Sequence, residues 1–126
     1  LITEVRFPLP PSGSGTAFEK YALRKSQAIA VVNVAVVLVL QDGRIENAKV
    51  ALGAVAPTVI RSPQAEQLLI GQVPSAALFE QAGEAARSDA RPIDDIRGSA
   101  AFRKHLVGVC VPRALHTAHM RVSNPE

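Results

Sequence analysis

The sequence predicts an α+β fold: an antiparallel sheet of three to four strands with three helices packed on one face. Three observations predict it. Residues 30–40 are apolar except for Asn33 and rich in β-branched Val, as a strand buried on both faces would be. Asp42-Gly43 follows, a pair that tolerates the two positive φ angles of a tight hairpin turn. The helix-start signals Ser62-Pro63, Pro74-Ser75 and Ser99 all come after the last strand candidate. Strands first and helices afterwards is the order of an α+β domain, not of alternating α/β units.

The elements follow in chain order. Leu1–Phe7 alternates Ile2, Val5 and Phe7 with Thr3, Glu4 and Arg6, which reads as a short strand. Pro8, Pro10 and Pro11 end it, and Ser12-Gly13-Ser14-Gly15 reads as a linker. Phe18–Arg24 reads as an irregular strand leading into the hairpin. In the second hairpin arm the apolar residues Ile45 and Val50 are five apart, so strict alternation fails, and a bulge near Glu46-Asn47 restores the register. Thr58–Arg61 continues the sheet after Pro57.

Ser62 with Pro63 supplies an N-cap hydroxyl and a proline at the first helical position, and that helix ends at Gly71. The second helix turns Leu78, Phe79, Ala82, Ala85 and Ala86 to one side. The third, capped by Ser99, turns Phe102, Leu106, Val109 and Cys110 inward, with Pro112 expected to kink or split it. Residues 122–126 are expected to fray. One domain spans 1–126, with a lead-in strand and linker over 1–15, the hairpin sheet over 16–61 and three helices over 62–121. Along the long strand, Val32, Val34, Val36 and Leu38 form one row and Val31, Asn33, Val37 and Val39 the other. Three helices cover one row only, so the other needs a partner, and Asn33 marks the Val31 row as that outer one, leaving Val32 to Leu38 for the core.

Composition excludes several functions. A chain of 126 residues is one domain's worth, with core enough to fold. Only 4% of it is aromatic and it has no Trp, which leaves no stacking platform for bases. The net charge of +3 comes from scattered Lys and Arg, not from a stripe, so no nucleic-acid partner is expected. One cysteine, Cys110, rules out an internal disulfide or a cysteine-based cluster and fits a reducing, cytoplasmic setting. The apolar run 28–40 is too short to cross a bilayer as a helix, and no signal peptide is visible. The chain opens on Leu within an alternating stretch, so it is expected to be a piece of something longer.

Constellations for catalysis are lacking. Ser12–Gly15 has no Gly-Lys-Ser/Thr and is a linker, not a phosphate loop. His116 and His119 sit three apart on one helix face, but no Asp, Glu or Cys shares it, so they read as surface histidines and no metal site is expected. Asp94-Asp95 reads as a loop-capping pair bonded to Arg91 or Arg97, and Cys110 as an inert core thiol. No Ser-His-Asp, Cys-His or paired-carboxylate arrangement stands out, so no catalytic residue is expected in this chain. On residues alone, Lys20 and Arg24 are solvated charges, and the chain is an α+β domain with an attachment face.

Three segments in order change that reading: Lys-x-x-x-Arg (Lys20, Arg24) before IAVVNVA, the ALGAVAPT strand, and DDIRGSAAFRKHL before a helix. Over residues 1–118 the chain resembles the C-terminal domain of the FAD-binding (medium) subunit of molybdenum hydroxylases, the xanthine dehydrogenase and carbon monoxide dehydrogenase flavoprotein family. The resemblance implies an oxidoreductase subunit whose preceding domain holds most of the FAD. It also implies partner subunits that carry [2Fe–2S] clusters and molybdopterin. LITEVRFP resembles the segment that leaves that FAD-binding N-terminal domain. Carried over residue by residue, Lys20 matches the family's FAD-contacting lysine, Ile2 an apolar residue that touches the flavin, and Arg24 an arginine of the loop beside it. Gln27 and Ala28 stand where acidic residues often follow in that loop. Asp94, Asp95, Arg97 and Gly98 match the loop before the last helix and read as structural or subunit-contact residues. The work implied is to close over the flavin and to dock the subunit onto its partners. The alternative is a stand-alone interaction module that binds through the uncovered sheet face.

Overall fold

The computed structural model describes residues 1–123. Four antiparallel strands, β1 (Ser14–Ala22), β2 (Ala30–Gln41), β3 (Arg44–Gly53) and β4 (Ile60–Arg61), lie in the order β1-β2-β3-β4. Three helices follow, α1 (Pro63–Leu69), α2 (Ala76–Asp89) and α3 (Ala100–Ser123). This is the predicted α+β order. The turn between β2 and β3 forms where expected: Asp42 has φ 51° and Gly43 φ 76°. The bulge forms as well, since Leu40 pairs with Ile45 and Val39 with Asn47, leaving Glu46 as the extra residue. The α1–α2 connection docks beside it. Ile45 N–H donates to Gln72 O at 2.9 Å, and Ile45 O accepts from Gly71 N–H at 2.7 Å.

The core lies between the sheet and the helices. Val32, Val34, Val36 and Leu38 of β2 meet Val50 and Leu52 of β3, Leu69 of α1, Phe79 of α2 and Val107, Val111 and Leu115 of α3. α3 passes close over β1, where a Cβ added to Gly15 would fall 1.9 Å from Ala118 O. The opposite sheet face is covered by no helix among the described residues. By the register it presents Thr16, Phe18 and Lys20 of β1, Asn33, Ala35, Val37 and Val39 of β2, and Lys49 and Ala51 of β3.

Several expectations are corrected. Leu1–Phe7 forms no strand; its residues are exposed and no neighbouring strand supplies ladder bonds, without which alternation alone cannot hold an extended segment. Ser14 and Gly15 belong to β1 and not to a linker, because Leu40 N–H donating to Gly13 O at 3.0 Å carries the pairing that far. Val31 is not in the outer row. The β1–β2 register shifts between Tyr21 and Ala22, and Val31 is fully buried in the core. Val39 keeps its outer position and lies outside that cluster.

At the helix termini, Ser62 takes the N-cap position of α1 but does not cap it. Its hydroxyl donates to Asp89 Oδ2 at 2.7 Å, and that carboxylate accepts from Gln64 N–H instead. Ser75 caps α2 as expected, accepting from Leu78 N–H at 3.1 Å. Ser99 caps α3 as expected, accepting from Phe102 N–H at 3.1 Å.

Pro112 neither splits nor ends α3, which runs from Ala100 to Ser123 as one helix; Gly83 of α2 leaves room for the ring, a Cβ there falling 2.8 Å from Pro112 Cδ. Phe102 is not fully inward; it stands edge-on to Tyr21 at 6.1 Å. Val109 is half-buried beside the α2–α3 groove. Of the segment expected to fray, Val122 and Ser123 end α3, and residues 124–126 lie outside the described residues.

Candidate functional site

One end of the sheet gathers three connections: the β1–β2 loop (residues 23–29), the β3–β4 loop (54–59) and the segment before α3 (91–99). A buried guanidinium ties them. Arg103, on the first turn of α3, has an almost fully buried side chain. Its Nη1 donates to Val31 O at 3.0 Å and to Ala54 O at 2.8 Å, and its Nη2 lies 2.6 Å from Asp95 Oδ1. Arg103 thus joins the start of β2, the end of β3 and the pre-α3 segment. Ala54 is held at φ 63°, a conformation that costs an L-residue about a kcal/mol or more. Asp95 also accepts from Arg97 N–H at 2.8 Å. The Arg103 guanidinium, followed by that backbone bond, lowers the Asp95 carboxyl to about 2.

Lys20 and Arg24 meet here. Lys20 lies near the end of β1 on the uncovered face, paired across the sheet with Asn33, which in turn faces Gly53. It borders a groove of about 390 Å³ together with Leu23, Arg24, Lys25 and Gln27. Arg24 Nη2 donates to Gln27 O at 2.7 Å, which holds the loop closed and Gln27 at φ 47°. A second groove, of about 380 Å³, shares Leu23, Arg24, Gln27 and Ala28 with the first and adds Ile29, Ile96 and Arg97. The groove beside Lys20 sets Ala22, Leu23 and Ala28 next to ammonium and guanidinium groups, an arrangement that suits one edge of a flat, partly anionic ring. Ile2 is not brought to this place: it is exposed in the unpaired leading segment and borders neither groove.

The remaining candidates stay structural. Asp94 Oδ1 accepts from Ala100 N–H and caps α3 with Ser99, while Asp95 pairs with Arg97 as expected and with Arg103 besides. Arg91 bonds to neither aspartate; its N–H donates to Val55 O at 2.8 Å. Burial raises the Cys110 thiol, as befits an inert core residue. His119 is half-buried edge-on to Phe79 at 6.0 Å, which corrects its reading as a surface side chain, while His116 is exposed. No group of three metal-ligating side chains occurs among the described residues. No helix among them is long and apolar enough to cross a membrane. Each helix N-terminus is taken by a side chain of this chain: Asp89 at α1, Ser75 at α2, Ser99 and Asp94 at α3. Those termini therefore offer no ready cradle for a pyrophosphate.

Arg103 is the residue that sequence reasoning missed. It stands between Phe102 and Lys104, beside a cation that reads as solvated. Its only signal was position, on the helix stripe that also carries Leu106, Val107 and Cys110.

Comparison with known proteins bears on the family and the fold. The model of the CO dehydrogenase flavoprotein C-terminal domain matches residues 17–118. The carbon monoxide dehydrogenase medium chain of Afipia carboxidovorans is 34% identical over 124 residues, 98% of this chain and 43% of that one. The putative xanthine dehydrogenase FAD-binding subunit XdhB of Escherichia coli is 30% identical over 111 residues, 88% of this chain and 38% of that one. Among solved structures, carbon monoxide dehydrogenase from Hydrogenophaga pseudoflava superposes with a TM-score of 0.85 at 34% identity, over 90% of this chain and 39% of that one. The chain thus spans less than half the length of the relatives it matches. With the sheet order, the three helices and the extent of the match in agreement, the chain belongs to the CO dehydrogenase flavoprotein C-terminal domain family.

Proposed function

We propose that this chain is the C-terminal domain of the FAD subunit of a molybdenum hydroxylase-type oxidoreductase, where it closes over the flavin and docks the subunit onto iron–sulfur and molybdopterin partners. The observation that carries this reading is the placement of Lys20. Its ammonium has no hydrogen-bond or ion-pair partner among the described residues, and it borders a groove formed with Arg24 and the pinned 23–29 loop. An unpaired cation beside an apolar wall fits the edge of a flavin, whose ring gains negative charge on reduction. Lys20 would supply a charge-assisted bond to that edge, and Arg24 would hold the loop in shape. Ile2 would join them only by contact with the flavin held on the preceding FAD-binding domain.

FAD, when bound, supplies the electron transfer itself; the residues of this chain hold one edge of it and exclude water there. The [2Fe–2S] and molybdopterin groups belong to the partner subunits in this reading. The test is Lys20→Ala in the full-length subunit. Loss of one charge-assisted hydrogen bond, worth about 1.5–3 kcal/mol, predicts FAD affinity lower by about tenfold or more. Unchanged FAD content and reduction potential would return Lys20 to the solvated surface.

A further inference from the structure

The turn before α3 is tightly held and exposes its apolar side chains. Asp95 N–H donates to Gly98 O at 3.2 Å and Gly98 N–H to Asp95 O at 3.1 Å, so the turn is closed from both ends. Asp95 is anchored from below by the buried Arg103 at 2.6 Å. Ile96 at the tip of this turn is nevertheless 96% exposed, and Ile93 just before it 75%. A loose loop can fold such residues back; this one is bonded in place. Each isoleucine borders a recess: Ile96 one of about 380 Å³ with Leu23 and Ile29, and Ile93 one of about 250 Å³ with Ala54, Pro57 and Arg91.

We infer that Ile93 and Ile96 form a rigid docking knob that enters an apolar recess rimmed by carboxylates on a protein partner. The charge follows from which groups are already used. Asp95 is paired with Arg97 and Arg103, while Asp94, which caps α3 at Ala100 N–H, keeps its charge and is outnumbered by Arg24, Arg91 and Lys25. The side chain of Arg91, which lines the smaller recess, and that of Lys25, on the adjoining groove that shares Leu23 and Arg24 with the larger one, have no partner among the described residues. The patch therefore presents net positive charge, which selects an acidic rim opposite. Fixed relief, with a projection flanked by hollows, is what a folded surface can match and a fluid lipid surface cannot use.

The inference rests on the proposed role as a subunit of a larger assembly and names the surface that does the docking. It is tested in the full-length flavin subunit, co-expressed with its iron–sulfur and molybdopterin partners. Ile96→Ser, and the pair Ile93→Ser with Ile96→Ser, are expected to weaken subunit association at least tenfold in sedimentation equilibrium. The melting temperature and FAD content of the free subunit should stay unchanged. Arg91→Glu is expected to slow association and to reduce its salt dependence. Unaltered assembly in all three variants overturns the inference. So does an effect confined to binding of vesicles containing anionic lipid, or to self-association of the flavin subunit. Lys20→Ala separates the two readings: it should lower FAD retention without altering assembly through the knob. If only that variant has its effect, the flavin reading stands and the knob falls; if only the isoleucine variants have theirs, the reverse holds.

Discussion

Arg103 and Asp95, eight residues apart in sequence, lie on either side of the start of α3, with Nη2 2.6 Å from Oδ1. The same guanidinium satisfies Val31 O and Ala54 O from two different strands. Replacing it with a shorter apolar residue leaves two carbonyls without their donor. Each orphaned group costs about 1–3 kcal/mol, so Arg103→Met should lower stability by several kcal/mol in urea melts. A loss below about 1 kcal/mol would mean that water replaces the side chain.

The pair also sets a pH dependence. Asp95 titrates at about 2 in the folded chain, against an ordinary 3.8. Because the folded value is the lower one, its contribution is fully present above the unfolded value and is lost as pH falls through the folded value, between about pH 4 and pH 2. Melting temperatures recorded down to pH 2 should fall more steeply in the wild type than in Asp95→Asn over that window. Parallel curves would refute the assignment.

Gly15 and Gly53 both refuse a Cβ, for different reasons. At Gly15 the new atom would meet the backbone of α3, 1.9 Å from Ala118 O; at Gly53 it would meet the side chain of Asn33, 2.1 Å from Oδ1. A helix backbone cannot turn aside, whereas an amide on an open sheet face can rotate. Gly15→Ala should therefore cost at least the upper part of the roughly 1–3 kcal/mol typical of overpacking. Gly53→Ala should cost less, and the combination with Asn33→Ala should recover most of that loss. Equal costs in thermal melts would show that Asn33 is as fixed as the helix.

The two faces of β2 should respond differently to charge. Val36 is buried in the core and Val37 is half-buried on the uncovered face. Val36→Lys forfeits about 1.5–3 kcal/mol of burial and adds a desolvated ammonium, so it should unfold the chain. Val37→Lys should leave the circular dichroism spectrum and melting temperature nearly unchanged. The Val37 variant should also reduce any self-association or hydrophobic-dye binding by the chain. Unfolding by both substitutions to the same degree would mean that the outer face is closed as well.

Flavin retention by the chain alone is a further check. With every helix N-terminus capped from within, the 126-residue chain should elute colourless after gel filtration in excess FAD. A stoichiometric flavin absorbance in the protein peak would contradict this.

Local rules were enough for the hairpin, its bulge, the helix starts and the choice of core row Val32 to Leu38. Each follows from residues within a few positions of one another: a turn that needs positive φ, a pattern of period two, a hydroxyl and a proline at a helix start. The motifs around Lys20 and Arg24 were legible too, and the tertiary structure places both at one groove. What local pattern could not tell depended on partners distant in the chain. Asp89 caps α1 from the end of α2, so Ser62 is free to bond to it instead. Val31 turns into the core because the β1–β2 register shifts beside it. Arg103 looks like a surface cation in sequence, and becomes a buried tie because α3 lays it against two strand ends. Alternation in Leu1–Phe7 promised a strand that no neighbour completes, because a strand is made by its ladder and not by its own residues.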